Sequence, residues 1–129
     1  MSDAADHSGL QRVLRAMREQ RLHWVELDEG AQPGEGRAVR YRRPAEAEMH
    51  QFVAGVGVEH VAEFVVDWRN FTEATLLGAA IGSSDEVPFS KEAWGLYVRD
   101  HLDESNKVAR AMANAMRDHI QARADAAKN

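Results

Sequence analysis

Two tryptophans at the ends of apolar segments place the strongest constraint on how this chain can fold. Apolar side chains recur at helical spacing at Val58, Val61, Phe64, Val65 and Trp68. This spacing predicts a helix that ends near Trp68. A polar connector follows, and Ser90 is placed to cap a further helix that carries Trp94 near its start. The pattern favours a domain of packed helices that binds other molecules.

Length and charge limit the possible classes of protein. The 129 residues are predicted to form a single domain over residues 9–121, between a disordered N-terminus at 1–8 and a frayed tail at 122–129. The chain has no cysteine, which excludes disulfides and thiolate metal sites. No apolar run approaches the roughly 18 residues of a membrane span, and the acidic N-terminus does not resemble a signal peptide. These features predict a soluble protein without a membrane partner, and the net charge of -5 does not favour a nucleic-acid partner.

Apolar periodicity predicts a mainly α fold, a small helical domain of five or six helices with an N-terminal β-hairpin. Residues 10, 13, 14 and 17 are apolar and share one face of a first helix that should end near Arg21. Arginines recur on its opposite face at positions 12, 15 and 18. Turn formers fill residues 28–36 between two segments of strand character, so the hairpin is predicted at about residues 22–43.

Further helices are expected after the hairpin. Pro44 suits the first position of a helix, and this helix should bury Met49, Phe52 and Val53. Thr72 is placed to cap another short helix. The sequence therefore predicts that helices continue to the C-terminus.

The last helix carries an apolar stripe in which Met112, Met116 and Ile120 repeat every fourth residue. Such a stripe usually packs in a core, but methionines flanked by small residues also suit a docking face. Because the stripe continues to Ile120, close to a polar tail, part of it is expected to be exposed. The stripe is therefore either core or a binding surface.

The sequence contains no complete catalytic or metal-binding set. His60 and Glu63 lie one helical turn apart, as do Glu46 and His50. A metal site would need both pairs to converge, and isolated pairs of this kind are usually surface contacts. No serine lies in a Gly-x-Ser-x-Gly motif. We therefore predict neither an enzyme nor a metal or cofactor site.

Two aspartates could instead form a catalytic carboxylate pair. Asp67 lies beside Arg69, and Asp100 lies beside Arg99. Structural ion pairs with these arginines are the favoured interpretation.

Three segments occur in an order that resembles one family. They are Arg42-Arg43-Pro44-x-Glu46-x-Glu48-Met49 before a helix, the apolar run into Val66-Asp67-Trp68-Arg69-Asn70, and Val87-Pro88-Phe89-Ser90-Lys91-Glu92 before an aromatic-bearing helix. Over about residues 22–121, this order resembles the tail assembly chaperones of long-tailed, siphovirus-like bacteriophages. These are small proteins encoded just before the tape-measure protein.

The resemblance implies a mainly helical protein of the bacterial host cytoplasm. It would coat the tape-measure protein, keep it soluble, recruit tail-tube subunits and be absent from the mature virion. Self-association is expected because the client is elongated. Under this hypothesis the partner-binding residues are Met112, Met116 and Ile120, while Arg40 and Arg42 contact acidic segments of the client.

Three alternatives remain open. A nucleic-acid-binding regulator could use the Arg-rich hairpin and the first helix, and its affinity should then fall steeply with salt. The chain could also be a structural component of the tail. A small hydrolase or metal enzyme would have to be built on His50, His60 and Glu63.

Overall fold

A computed structural model describes residues 2–128, with side chains from residue 7 onward. Its elements, in chain order, are α1 (Ser2–Glu19), β1 (Leu22–Glu26), β2 (Ala38–Arg42), a 3-10 helix (Glu46–Phe52), α2 (Val58–Phe64), β3 (Val65–Arg69), α3 (Glu73–Leu77), α4 (Lys91–Arg99) and α5 (Leu102–Ala127). Helix α1 covers residues 2–8 and α5 covers most of 122–129, while Met1 and Asn129 lie outside the described residues. The disorder predicted for these two terminal segments stays a prediction.

The fold is a mixed α/β arrangement, so the prediction of a mainly α protein is wrong. Over the described part of the chain there are six helices, with 55% of residues helical and 14% in strands. The strands form one antiparallel sheet in the order β1-β2-β3. The predicted pairing of β1 with β2 is present, from Leu22 opposite Arg42 to Glu26 opposite Ala38.

Strand β3 lies where the sequence pattern predicted part of a helix. Helix α2 ends at Phe64, and the chain continues directly as a strand that pairs with β2. Valines and tryptophan favour strands, and a register shift leaves Val66 without a paired residue. This bulge interrupts the alternation of faces, so that Val65 and Trp68 are both buried although they lie three residues apart. The spacing of these two buried residues therefore matches the spacing of apolar residues on one face of a helix.

The two tryptophans at the ends of apolar segments, Trp68 and Trp94, are both buried. Trp94 is inaccessible, and its indole N–H donates to the Val61 carbonyl at 3.2 Å. The Trp68 indole N–H donates to the Val87 carbonyl at 2.7 Å, and its ring stacks on Phe71 with centroids 4.6 Å apart. A hydrogen bond satisfies each polar indole group, so both large rings can pack without an unpaired donor.

The segment after Pro44 is shorter and tighter than predicted. It is a 3-10 helix that ends at Phe52, which is buried, whereas Met49 is only partly buried. Val53 is 89% exposed, so its predicted burial is wrong. A 3-10 helix has three residues per turn, and the residues that share a face differ from those of the α-helix that was predicted.

Hydrogen bonds from Arg37 link the long hairpin loop to helices α4 and α5. Its guanidinium donates to Asp28 Oδ1 at 2.7 Å, to the Tyr97 hydroxyl at 2.8 Å and to Glu104 Oε1 at 3.0 Å. Tyr97 donates in turn to Glu104 Oε2 at 2.7 Å. The hydrogen bonds from Arg37 lower the pKa of Asp28, and burial raises the pKa of Tyr97 to about 12. Mutual pairing allows these polar groups to lie in or beside the core.

Candidate protein-binding surface

The predicted stripe on α5 changes from core to surface along its length. Met112 is fully buried and Met116 packs partly against the core, whereas Ile120 is 46% exposed. Met112 is therefore a core residue in this structure and not part of an accessible docking face. The stripe enters the core because α5 packs against α2, α4 and β1. Only its distal end, near Ile120, presents an apolar surface.

The two hairpin arginines assigned to partner binding have different surroundings. Arg42 donates to both carboxylate oxygens of Glu48, at 2.8 and 3.1 Å, and lies over the Phe64 ring. This ion pair lowers the pKa of Glu48 to about 2. Arg40 forms no ion pair among the described residues. Its guanidinium carbon Cζ lies over the Trp24 ring, 5.7 Å from the ring centroid. Arg42 is thus engaged within the protein, while Arg40 keeps a charge that a partner could use.

The outer face of the sheet is nearly neutral. The guanidinium groups of Arg40 and Arg69 both lie over the Trp24 ring, and Arg69 pairs with Glu26 on β1. Asp67 stands opposite Arg40 in the β2–β3 register. Two basic and two acidic side chains therefore share this face. Nucleic-acid binding needs an excess of positive charge, so the arrangement does not favour that alternative.

Helix α1 presents an exposed apolar stripe on the described surface. Leu10, Val13 and Met17 are 53%, 51% and 51% exposed. Among the described residues, the closely packed elements are the three strands with α2, α4 and α5, and α1 is outside this set. The sequence pattern identified this amphipathic stripe but did not indicate what the stripe faces. Its exposure makes it a stronger candidate for docking than the α5 stripe.

A second apolar surface lies between α3 and α4. The exposed side chains of Leu77 and Leu96 line a groove whose floor includes Val87. Glu73 and Asp100 lie at the same groove. Contiguous exposed apolar groups of this kind commonly mark interaction sites.

The predicted metal-ligand pairs serve local contacts. His60 Nδ1 accepts the Gly57 backbone N–H at 3.0 Å, and His50 Nδ1 lies 3.0 Å from the Ala47 carbonyl. Glu46 is bound by His119 and Arg123 of α5, at 2.8 and 2.5 Å. Among the side chains that the structure describes, residues 7–128, no three His, Asp or Glu groups converge as metal ligands.

The predicted ion pairs between sequence neighbours are not formed. Arg69 pairs with Glu26 rather than with Asp67, and Arg99 pairs with Glu59 at 2.6 Å rather than with Asp100. Both arginines reach acidic groups on other elements, which their positions in sequence could not indicate. These pairs link β3 to β1 and α4 to α2.

A cleft of about 620 Å³ with a mixed polar and apolar lining lies between the sheet and α5, and the sequence did not predict it. Its lining includes His23, Arg43, Asn114 and His119. In the sequence, Arg43 belongs to the Arg-rich hairpin and to the Arg42-Arg43-Pro44 segment, and nothing there indicates that it is buried while Arg40 is not. Burial and the nearby positive charges of Arg43 and Arg40 lower the pKa of His23.

Comparison with known proteins adds no functional assignment. No helix in the described part of the chain is both long and apolar enough to cross a membrane. No protein-family model, curated protein or solved structure matches this chain.

Proposed function

We propose that the protein is a tail assembly chaperone of a long-tailed bacteriophage. It binds the tape-measure protein and helps recruit tail-tube subunits in the host cytoplasm, and it leaves before the virion is complete. The order of sequence segments from Arg42 to Glu92 supports the family, and the exposed apolar stripe of α1 is the structural observation that carries the proposed binding role.

The α1 stripe suits an amphipathic helix of the client. Leu10, Val13 and Met17 follow the i, i+3, i+7 spacing of helix-in-groove and helix-pair contacts. They extend over about 10 Å of helix, which matches two turns of a partner helix. Arg12 and Arg15 on the opposite face keep the free helix hydrated. The client segment is therefore expected to be apolar on one face.

One copy should bind weakly. Fully burying a large aliphatic side chain contributes about 1.5–3 kcal/mol, so completing the burial of three half-exposed residues contributes about 3 kcal/mol. Association costs roughly 4 kcal/mol or more because the two molecules lose translational and rotational freedom. A useful affinity then requires further contacts or several copies on one client, where linked binding events reinforce each other. The magnitudes thus favour a coat of self-associating copies.

Two features could join neighbouring copies. Strands β1 and β3 are the two edges of the sheet, and each leaves backbone groups free for pairing. The groove at Leu77 and Leu96 adds exposed apolar surface. Copies that associate through these regions would leave α1 available to the client.

Co-expression with an aggregation-prone tape-measure fragment tests the proposal. The wild-type chain should keep the fragment soluble, and the double variant Leu10→Glu/Val13→Glu should lose this effect because two charges oppose burial of the stripe. Arg12→Gln/Arg15→Gln is the matched control, since it changes the net charge equally on the opposite face. Equal rescue by both folded double variants would exclude α1 as the docking element.

A further inference from the structure

Arg43 is a buried cation that forms no ion pair with any carboxylate of the described residues. Only 8% of the residue is exposed, and its guanidinium donates to the carbonyl of the adjacent Pro44 at 2.9 Å. Among the described residues, no carboxylate forms an ion pair with it. Burying a charge without a counter-charge is costly, so most buried arginines are paired. This one faces a cleft instead.

The neighbouring acids do not fill that role. Glu46 is near enough to influence Arg43, but its carboxylate is already bound by His119 and Arg123. Asp118 is a mostly exposed residue of the cleft lining and lies 3.9 Å from Arg117. Among the residues that the structure describes, no carboxylate therefore forms a direct ion pair with Arg43.

The rest of the cleft supplies hydrogen-bonding groups around this charge. His23 and Asn114 line it beside Arg43. The Tyr41 hydroxyl, also in the lining, donates to the Ala111 carbonyl at 3.1 Å and so helps fix α5 against the sheet. Both walls of the cleft are thus held by packed elements, which favours a preformed site.

We propose that this cleft binds an oxyanion, the carboxylate or phosphate group of a ligand, with Arg43 as the charged donor and His23 and Asn114 as further donors. A guanidinium presents paired N–H groups that match both kinds of oxyanion. The cleft is distinct from the α1 stripe, so this inference does not depend on the chaperone proposal.

Thermal unfolding of the whole protein in phosphate or acetate, with ionic strength held constant by chloride, is the first test. At an anion concentration ten times the Kd, the melting temperature should rise by about 3–5 °C. Arg43→Met should remove this rise. Arg110→Met is the matched control because Arg110 is exposed on α5, away from the cleft lining, and should retain the full rise.

The His23 resonance gives an independent readout in the wild-type protein. Burial and the nearby arginine charges lower the pKa of His23, and a bound oxyanion should raise that pKa in an NMR titration because it offsets those charges. If Arg43→Met does not fold, Arg43→Lys replaces it and should bind at least tenfold more weakly, since it lacks the paired donors.

Comparing the responses to phosphate and to acetate shows which kind of oxyanion the cleft binds. A response to phosphate alone assigns the site to a phosphate group, and a response to acetate assigns it to a carboxylate such as an acidic side chain. The inference is overturned if neither anion moves the melting temperature or the His23 pKa, or if Arg43→Met responds as strongly as the wild type.

Discussion

Glu104 shows how a buried ionisable side chain can organise its surroundings. It is only 7% exposed and accepts hydrogen bonds from both Arg37 and Tyr97. Glu104→Ala should destabilise the protein by about 3–5 kcal/mol in urea denaturation, because it leaves the Arg37 charge partly buried with one partner fewer. Glu29→Ala, at an exposed position of the hairpin loop, should change stability by no more than about 0.5 kcal/mol. Similar losses in both variants would show that the network contributes little.

Glu48 gives a prediction with a defined pH dependence. Its pKa falls from 4.5 to about 2 because Arg42 binds it and the Ala45 N–H donates to it. A carboxyl group with a lowered pKa stabilises the fold above its unfolded pKa, and this contribution is lost as the pH falls from about 4.5 towards 2.

Because the Arg42–Glu48 pair is partly solvated, Glu48→Gln should cost only about 1–2 kcal/mol at pH 7. Urea denaturation at pH 7 and at pH 3 should show the difference between wild type and variant shrinking at the lower pH. A difference that stays constant or grows as the pH falls would contradict the assigned ion pair.

Helix α5 provides a matched comparison within one element. Met112 is buried against the core, whereas Ile120 lies two turns later at the surface. Met112→Ala should therefore cost about 2–5 kcal/mol through lost packing, and Ile120→Ala should cost under about 1 kcal/mol. Denaturant titrations of the two variants measure both values. Equal losses would mean that the distal turn of α5 is packed as firmly as its middle.

Local chemistry made several elements predictable. The Thr72 and Ser90 hydroxyls accept the backbone N–H groups of Thr75 and Ala93, at 3.2 and 3.1 Å, as helix caps do. The hairpin was predictable from the turn formers between its strands. Strand β3 was not, because its bulge places buried residues three apart and so reproduces a helical period.

The candidate binding surface was harder to predict for a different reason. An amphipathic stripe has the same sequence pattern whether it faces a core or a partner. Only the packing of the other elements shows that the α1 stripe at Leu10 and Val13 is uncovered while Met112 is enclosed. The cleft at Arg43 depends on residues brought together from β1, β2 and α5, which local sequence does not encode.

For the whole molecule, the weak affinity expected of a single α1 stripe predicts self-association. Sedimentation velocity should show a weight-average mass that rises with protein concentration. Leu77→Glu/Leu96→Glu should reduce this rise if the α3–α4 groove joins the copies, because burying two carboxylates in an apolar contact is unfavourable. A strict monomer at high concentration, with and without the client, would contradict assembly into a coat.

The most direct test of the central claim is hydrogen–deuterium exchange of the purified protein with and without a soluble tape-measure segment. Helix α1 has few tertiary contacts, so its amides at residues 9–19 should exchange quickly in the free protein. Client binding should slow these amides at least tenfold in the wild type and leave them unchanged in Leu10→Glu/Val13→Glu. Unchanged exchange of α1 in a wild-type protein that demonstrably binds the client would contradict the account.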